Sequence, residues 1–299
     1  MLDKIDLTKK LGKKTYKQTM PELSGRLFQM QKASQDAGLA IVILFEGWDA
    51  AGKGAAIQKL TSSLDPRGFT VYPVRAPRAF EKKRPWIWRF WMKLPGRGEW
   101  AIFDRSWYRR ITNDRLEGII PENKWRRGYR DIVDFERNLV DDEYILIKFF
   151  LHLSRQDQRR RLNKLSSDSQ TAWRVTAQDW ERHRRYDDWA LAWEEVFDRT
   201  DTEWAPWTII EATNRRFAWV KIYRTIMDVI SERLEIPQLS QPEQITAEEA
   251  QVSIGDAFQE TGSPEPTFLK DSDLSMPDEN NTTTVENFPA QFENSEKGA

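Results

Sequence analysis

Two hydrophobic periods alternate along the first 235 residues. Continuous apolar runs of strand length occur at LAIVILFE (39–46), FTVYPV (69–74), EWAIFD (99–104), YILIKFFL (144–151) and PWTIIE (206–211). Such runs, rich in β-branched and aromatic residues, suit strands buried on both faces of a parallel sheet. Between them the period lengthens. Residues 20–37 place Leu23, Leu27 and Met30 at helical spacing and end at Gly38, a natural stop. Further helices are predicted over AAIQKLTSSL (55–64), 80–93, 123–142, 154–164, 176–199 and 214–235. Ser154 with Asp157, and Thr176 with Asp179, have the spacing of capping boxes at two of those starts. Strands alternating with helices predict an α/β fold with a doubly wound parallel sheet of about five strands. Chain order cannot give strand order.

The pattern stops near Leu234. Residues 236–299 hold Ser, Thr, Pro, Asn, Gln and acid with no tryptophan, which predicts a folded domain over 1–235 and a disordered acidic tail. Charge follows the same boundary. The chain as a whole is at −1, yet its first 235 residues carry 44 basic and 34 acidic side chains, and the tail 13 acidic against two lysines. A basic body points to an anionic partner. The tail either is simply solvated or folds back over the basic surface as a competing lid. There is no cysteine, so disulfides and thiolate metal sites are excluded. The start, MLDKIDLTKKLGKK, has no apolar run behind it to make a signal peptide, and no run is long enough for a bilayer. A cytoplasmic location is expected.

Candidate chemistry sits after the first predicted strand. FEGWDAAGKGAA (45–56) has the Gly-x-x-x-x-Gly-Lys spacing of a phosphate-cradling loop, with Gly47, Gly52 and Lys53 in place and Gly54 where a magnesium-binding hydroxyl residue is usual. Asp49 is the oddity. Two like charges about 4 Å apart repel by roughly 4 kcal/mol at an effective dielectric near 20, so a carboxylate beside phosphate needs a cation between them. Magnesium binds one or two carboxylates plus phosphate oxygens, and Asp49 then replaces the missing hydroxyl as its anchor; the other reading is that Asp49 caps the following helix. Asp104 ends the strand EWAIFD, at the strand edge where α/β sheets bind ligands. It serves either as a second metal ligand or proton acceptor, or as an N-cap for the next turn.

Arginines are dense around these motifs. Between Pro66 and Gly98 stand nine basic residues and one acid, Glu81; a second group includes Arg174, Arg182, Arg184 and Arg185. Guanidinium forks bind phosphate oxygens bidentately, so the supply suits a long phosphate chain or nucleic acid. Trp86, Trp88, Trp91, Trp100 and Trp107 interleave with them; packing in a core is favoured over base stacking. His152 and His183 have no partner at metal-binding spacing and read as structural.

Taken together, EGWDAAGKG, IWRFW, IFDRSWYRR and TDTEWAPW resemble the polyphosphate kinase 2 family, most closely its polyphosphate:AMP phosphotransferase type, over about Leu7 to Leu234. The resemblance implies a P-loop kinase-like three-layer α/β/α fold with a helical lid (roughly 154–200), Mg2+-dependent phosphoryl transfer between inorganic polyphosphate and a nucleoside mono- or diphosphate, and a homo-oligomer. AMP to ADP is favoured, with ADP to ATP possible. It also implies that Asp49 and Asp104 hold the metal, that Lys53 and Arg105 are catalytic, and that Gly47, Gly52, Gly54 and the lid arginines Arg174, Arg184 and Arg185 bind phosphate. Three positions depart from the family pattern: Arg109 replaces a small residue, Asp114 a glutamate, and Arg78 a small hydroxyl residue. The two arginines add charge on the acceptor side, and Asp114 keeps its charge with a shorter reach. The competing readings are an ATP-dependent small-molecule kinase, a polyphosphate-binding protein with weakened turnover and, lastly, a nucleic-acid binder.

Overall fold

The structure is a computed structural model and describes residues 1–234; the acidic tail expected over 236–299 lies outside the described residues. Five strands, β1 (Ile41–Gly47), β2 (Phe69–Pro73), β3 (Trp100–Asp104), β4 (Ile145–His152) and β5 (Trp207–Glu211), form one sheet. Every pairing is parallel, in the order β2-β3-β1-β4-β5. The predicted strands are all present, shifted by one or two residues. β4 is buried along its whole length and β1 over its first six residues, as strands covered on both faces must be.

The main helices are α1 (Lys13–Asp36), α2 (Lys53–Thr61), α5 (Glu122–Asp141), α6 (Arg155–Ser167), α7 (Ala177–Arg184), α8 (Tyr186–Thr200) and α9 (Arg215–Arg233), with single turns α3 (Trp88–Trp91) and α4 (Asn113–Leu116). α9 packs on α1, α2, β4 and β5, while α5 packs on β4 and α8. Chain direction explains this layering. From β1 the chain crosses to β2 on one side of the sheet order, and from β3 to β4 on the other, so right-handed crossovers put the connecting helices on opposite faces. The reversal falls between neighbours β1 and β3. That is the switch point where an open α/β sheet leaves a crevice beyond its strand ends.

Two predicted helices differ. Residues 80–93 do not form one helix; a 3-10 turn at Glu81–Lys83 and the single turn α3 flank Pro85, which lacks an N–H and biases Arg84 to the extended backbone it adopts. The stretch 176–199 is two helices, parted at Arg185 alone. α1 starts seven residues earlier than predicted, because residues 13–19 are polar and only Tyr16 packs inward, on Trp219. Of the two capping boxes, Thr176–Asp179 is complete. Ser154 caps α6, but the Asp157 carboxylate goes to Arg160 and Thr213 instead.

The core-packing reading of the tryptophans holds for Trp100 and Trp107, whose ring N–H groups donate to Ser34 and Glu136. Trp86 and Trp88 are half-buried. Trp91 remains partly exposed while packing edge-on against Phe135.

Candidate active site

The loop after β1 is held tight by its glycines. Gly47 has φ +130°, and a Cβ there would lie 2.4 Å from the backbone oxygen of Leu151 in β4, so no other residue fits. Gly52, at φ +99°, turns the chain into α2. No side chain caps α2, which contradicts the reading of Asp49 as its cap. The first-turn N–H groups of Lys53 and Gly54 are thereby left for an anion. Lys53 is buried, and its ammonium donates to the carbonyls of Gly47 (2.8 Å) and Trp48 (2.9 Å). Burial lowers its pKa, the charge of Arg105 adds to that, and Asp49, Asp104 and Glu46 oppose it. These five charges therefore share one site.

β3 supplies the opposite wall. Parallel register sets Asp104 beside Phe45, and the next residue, Arg105, has φ +63°. A non-glycine residue in that region is strained and stays there only when its surroundings demand it. Its N–H donates to the Phe45 carbonyl at 3.0 Å and its guanidinium to Asp49 Oδ1 at 2.7 Å. Ser106, not Asp104, caps the next turn, and its hydroxyl donates to Glu46 at 2.7 Å. The N-cap reading of Asp104 therefore falls. The Asp104 carboxylate is half-buried, with no hydrogen bond or ion pair among the described residues. Burial raises the pKa of Glu46. Burial also acts to raise that of Asp49, but Arg105, Lys53 and Arg182 outweigh it and hold the group ionised.

The lid reaches the same loop through residues that density alone did not single out. Arg182 of α7 donates to Asp49 Oδ2 at 3.3 Å and to Glu117 Oε1 at 2.6 Å. Arg161 of α6 donates to the carbonyls of Ala50 and Ala51, and to Ala212 and Thr213 beyond β5; burial lowers its pKa to about 10. Gln158 and Leu162 are buried on α6 and Arg161, three after Gln158, shares that face, a burial visible only in the structure. Nothing in the sequence marked Arg182 either. Of the three lid arginines named from the sequence, Arg174 is exposed over the Trp173 ring, Arg184 pairs with Glu181 on its own helix, and Arg185 binds the Leu116 carbonyl and Asp188. None of the three touches the loop. His152 accepts from the Trp48 ring N–H at 2.8 Å, and His183 bonds Gln158; both brace the site.

A cleft of about 730 Å³ opens on the other side of segment 107–114. Trp86, Phe90 and Trp107 form apolar walls, and Arg89, Arg109 and Arg110 also line it. Their buried Nε–H groups make no hydrogen bond; those of Arg89 and Arg109 face Glu81 and Asp114 as ion pairs at 3.6 and 3.3 Å, so that of Arg110 is left for an incoming anion to relieve. Arg109 lies 3.3 Å from Asp114, while Arg78 is exposed.

Two carboxylates at adjoining strand ends are hard oxygen donors of the kind magnesium takes alongside substrate oxygens. Among the described residues no cluster of three or more potential ligands exists; Asp49 and Asp104 are two acids at the crevice that could hold such an ion together with substrate oxygens, and the Asp49 oxygens accept from Arg105 and Arg182.

A model of the polyphosphate kinase 2 family matches residues 10–237. The chain belongs to that family. It is 38% identical to the polyphosphate:AMP phosphotransferase of Pseudomonas syringae over 232 residues, 78% of this chain and 47% of that protein. It is 30% identical to an AMP/ADP-polyphosphate phosphotransferase of Meiothermus ruber over 239 residues, 80% of this chain and 88% of the other. The crystal structure of polyphosphate kinase 2 from Arthrobacter aurescens superposes with a TM-score of 0.75 at 25% identity, over 85% of this chain and 93% of that one. The chain thus spans about half the length of the Pseudomonas relative and most of the other two family members.

Proposed function

We propose that this chain transfers the terminal phosphoryl group of inorganic polyphosphate to a nucleoside mono- or diphosphate, with AMP to ADP favoured and ADP to ATP possible. One observation carries the reading beyond family membership: Lys53, Arg105 and an uncapped helix start converge on the crevice between β1 and β3. The donor chain end lies on the loop N–H groups. The acceptor lies in the cleft, its ring against the aromatic wall and its phosphate toward Arg89, Arg109 and Arg110. An acceptor phosphate oxygen attacks the terminal phosphorus, the bridging P–O bond breaks, and its electron pair stays on the shortened polyphosphate. Such transfers depend on alignment and charge neutralisation rather than on a covalent intermediate. Lys53 and Arg105 spread the charge that develops on the transferring group. Asp49 and Asp104 would hold magnesium, which would supply neutralisation of phosphate charge. Gly54, Arg174, Arg184 and Arg185 remain proposed phosphate contacts, the last three on a lid that has moved. A cytoplasmic setting and a homo-oligomer belong to the same proposal.

The test is polyphosphate as sole donor, with magnesium and AMP or ADP in separate reactions. ADP formed from AMP is the expected product, and no polyphosphate-dependent product from either acceptor would refute the reading. Lys53→Ala and Asp49→Asn each abolish transfer with the unfolding midpoint retained; turnover near wild type in either variant counts against the assigned roles.

A further inference from the structure

The carboxylate assigned to the metal is occupied. Arg105 holds one oxygen of Asp49 at 2.7 Å and Arg182 the other at 3.3 Å. The cavity among Asp49, Arg105, Asn113, Gln158 and Arg182 measures only about 30 Å³, room for about two waters and not for a phosphate chain. Gln158 and Arg161 bind the backbone of the same loop. The lid therefore lies close against the loop, with arginines standing where a cation and phosphate are expected.

The grip of Arg182 is uneven. Its Nε and Nη2 both donate to Glu117 Oε1, at 3.0 and 2.6 Å, while its Nη1 reaches Asp49 only at the longer distance. The arm on Glu117 is the firm one and the arm on Asp49 the releasable one. The side chain is nine-tenths buried and also packs over Trp189, so it stays in place when one arm lets go.

We propose that Arg182 is an exchangeable counter-ion that acts as a phosphate-binding residue of the transfer reaction. With no substrate it neutralises Asp49. When a divalent cation and polyphosphate enter, it releases Asp49 to the cation, keeps its hold on Glu117, and turns the freed Nη1 to a phosphate oxygen. Glu117 is its positioning residue. The exchange keeps the buried carboxylate paired at every stage, which avoids the penalty of an isolated buried charge. This inference rests on the phosphotransfer reading for its ligand, but its central claim concerns competition between Arg182 and a cation for Asp49.

That competition has opposite signs in two variants, and it is measured on the full chain with manganese alone, by the paramagnetic resonance of the free ion. Arg182→Gln removes the competitor, so manganese binds roughly tenfold more tightly, the scale set by one neighbouring charge in a partly screened site. Glu117→Gln weakens the firm arm, throws Arg182 onto Asp49, and makes manganese bind severalfold more weakly. Damage to the fold weakens binding in both variants and cannot produce the first result. Unchanged or weaker binding in Arg182→Gln, unchanged or tighter binding in Glu117→Gln, or no binding in wild type and both variants, each overturns the proposal. In turnover, Arg182→Gln lowers kcat about 100-fold, the loss typical of one charge-stabilising donor. A wild-type chain that transfers no phosphoryl group refutes the functional reading, while the manganese comparison still decides the competition.

Discussion

Lys148 is the most buried charge among the described residues. It stands in β4 with no exposed surface, donating to Glu136 (2.9 Å), to the Tyr108 hydroxyl (3.2 Å) and to the Thr200 carbonyl (2.7 Å). The other oxygen of Glu136 accepts from the Trp107 ring at 2.8 Å. This network ties β4, α5, the end of α8 and the segment after Asp104 into one polar knot within an aromatic core. Lys148→Met leaves Glu136 charged and unpaired, and a lost partner of that kind costs about 3–5 kcal/mol. Urea titration reads the loss. Adding Glu136→Gln removes the stranded charge and recovers part of it; a single variant as stable as wild type would show that the pair is not ionised. The residue scale is also where sequence reading was weakest. A lysine in a buried strand and an arginine in a dense basic group look alike as letters. Lys148 and Arg182 acquire meaning only from the acids that three-dimensional packing brings to them.

At the scale of elements, most of the fold was legible. The five strands appear because each is a continuous apolar run with polar or glycine-rich ends, a signal that survives without context. The helix expected over 80–93 failed because apolar spacing was weighed above Pro85. The break at Arg185 has no glycine or proline to announce it. Two helices of the lid, α7 and α8, are instead separated by a single residue in a bridging conformation, φ −95° and ψ 27°. α7 has only eight residues, too few for independent stability, so its start matters. Thr176→Ala removes both the hydroxyl acceptor for the Asp179 N–H and the donor to the Asp179 carboxylate, a loss of about 1 kcal/mol. The expected readout is faster amide exchange confined to residues 177–184, with the unfolding midpoint barely moved. Uniform acceleration across the sheet would instead make the cap part of the global fold.

For the whole molecule, acid stability depends on the two buried histidines, both lowered by burial, and His152 carries the larger share. Burial lowers its pKa to about 4 against the ordinary 6.5, with Glu194, Asp3 and Glu211 opposing the shift. Between those values the unfolded chain takes up a proton that the folded one refuses, so stability rises from pH 4 to 6.5, by about 3 kcal/mol for a shift of this size. Asp49, held ionised by its arginines, adds a second loss only below the usual carboxylate range. Glu46 and Asp114, both raised by burial, work the other way and favour the folded chain while protonated, an advantage lost as pH climbs above their ordinary values. His152→Gln keeps an acceptor for Trp48 and removes the titration. Its unfolding midpoint should fall less steeply than that of wild type from pH 6.5 to 4, since buried His183, also lowered, still titrates there while Glu46 and Asp114 oppose it; an equal fall in both would place the acid sensitivity elsewhere.

The close contact between Gly47 and Leu151 has a mechanical meaning. Trp48 also rests on this part of β4, through its backbone N–H to Leu151 and its ring N–H to His152, and two residues later Ser154 begins the lid. Cradle rim and lid root share one fulcrum. A swing of the lid would therefore be levered directly against the loop between β1 and α2, with no slack between them for a side chain to take up.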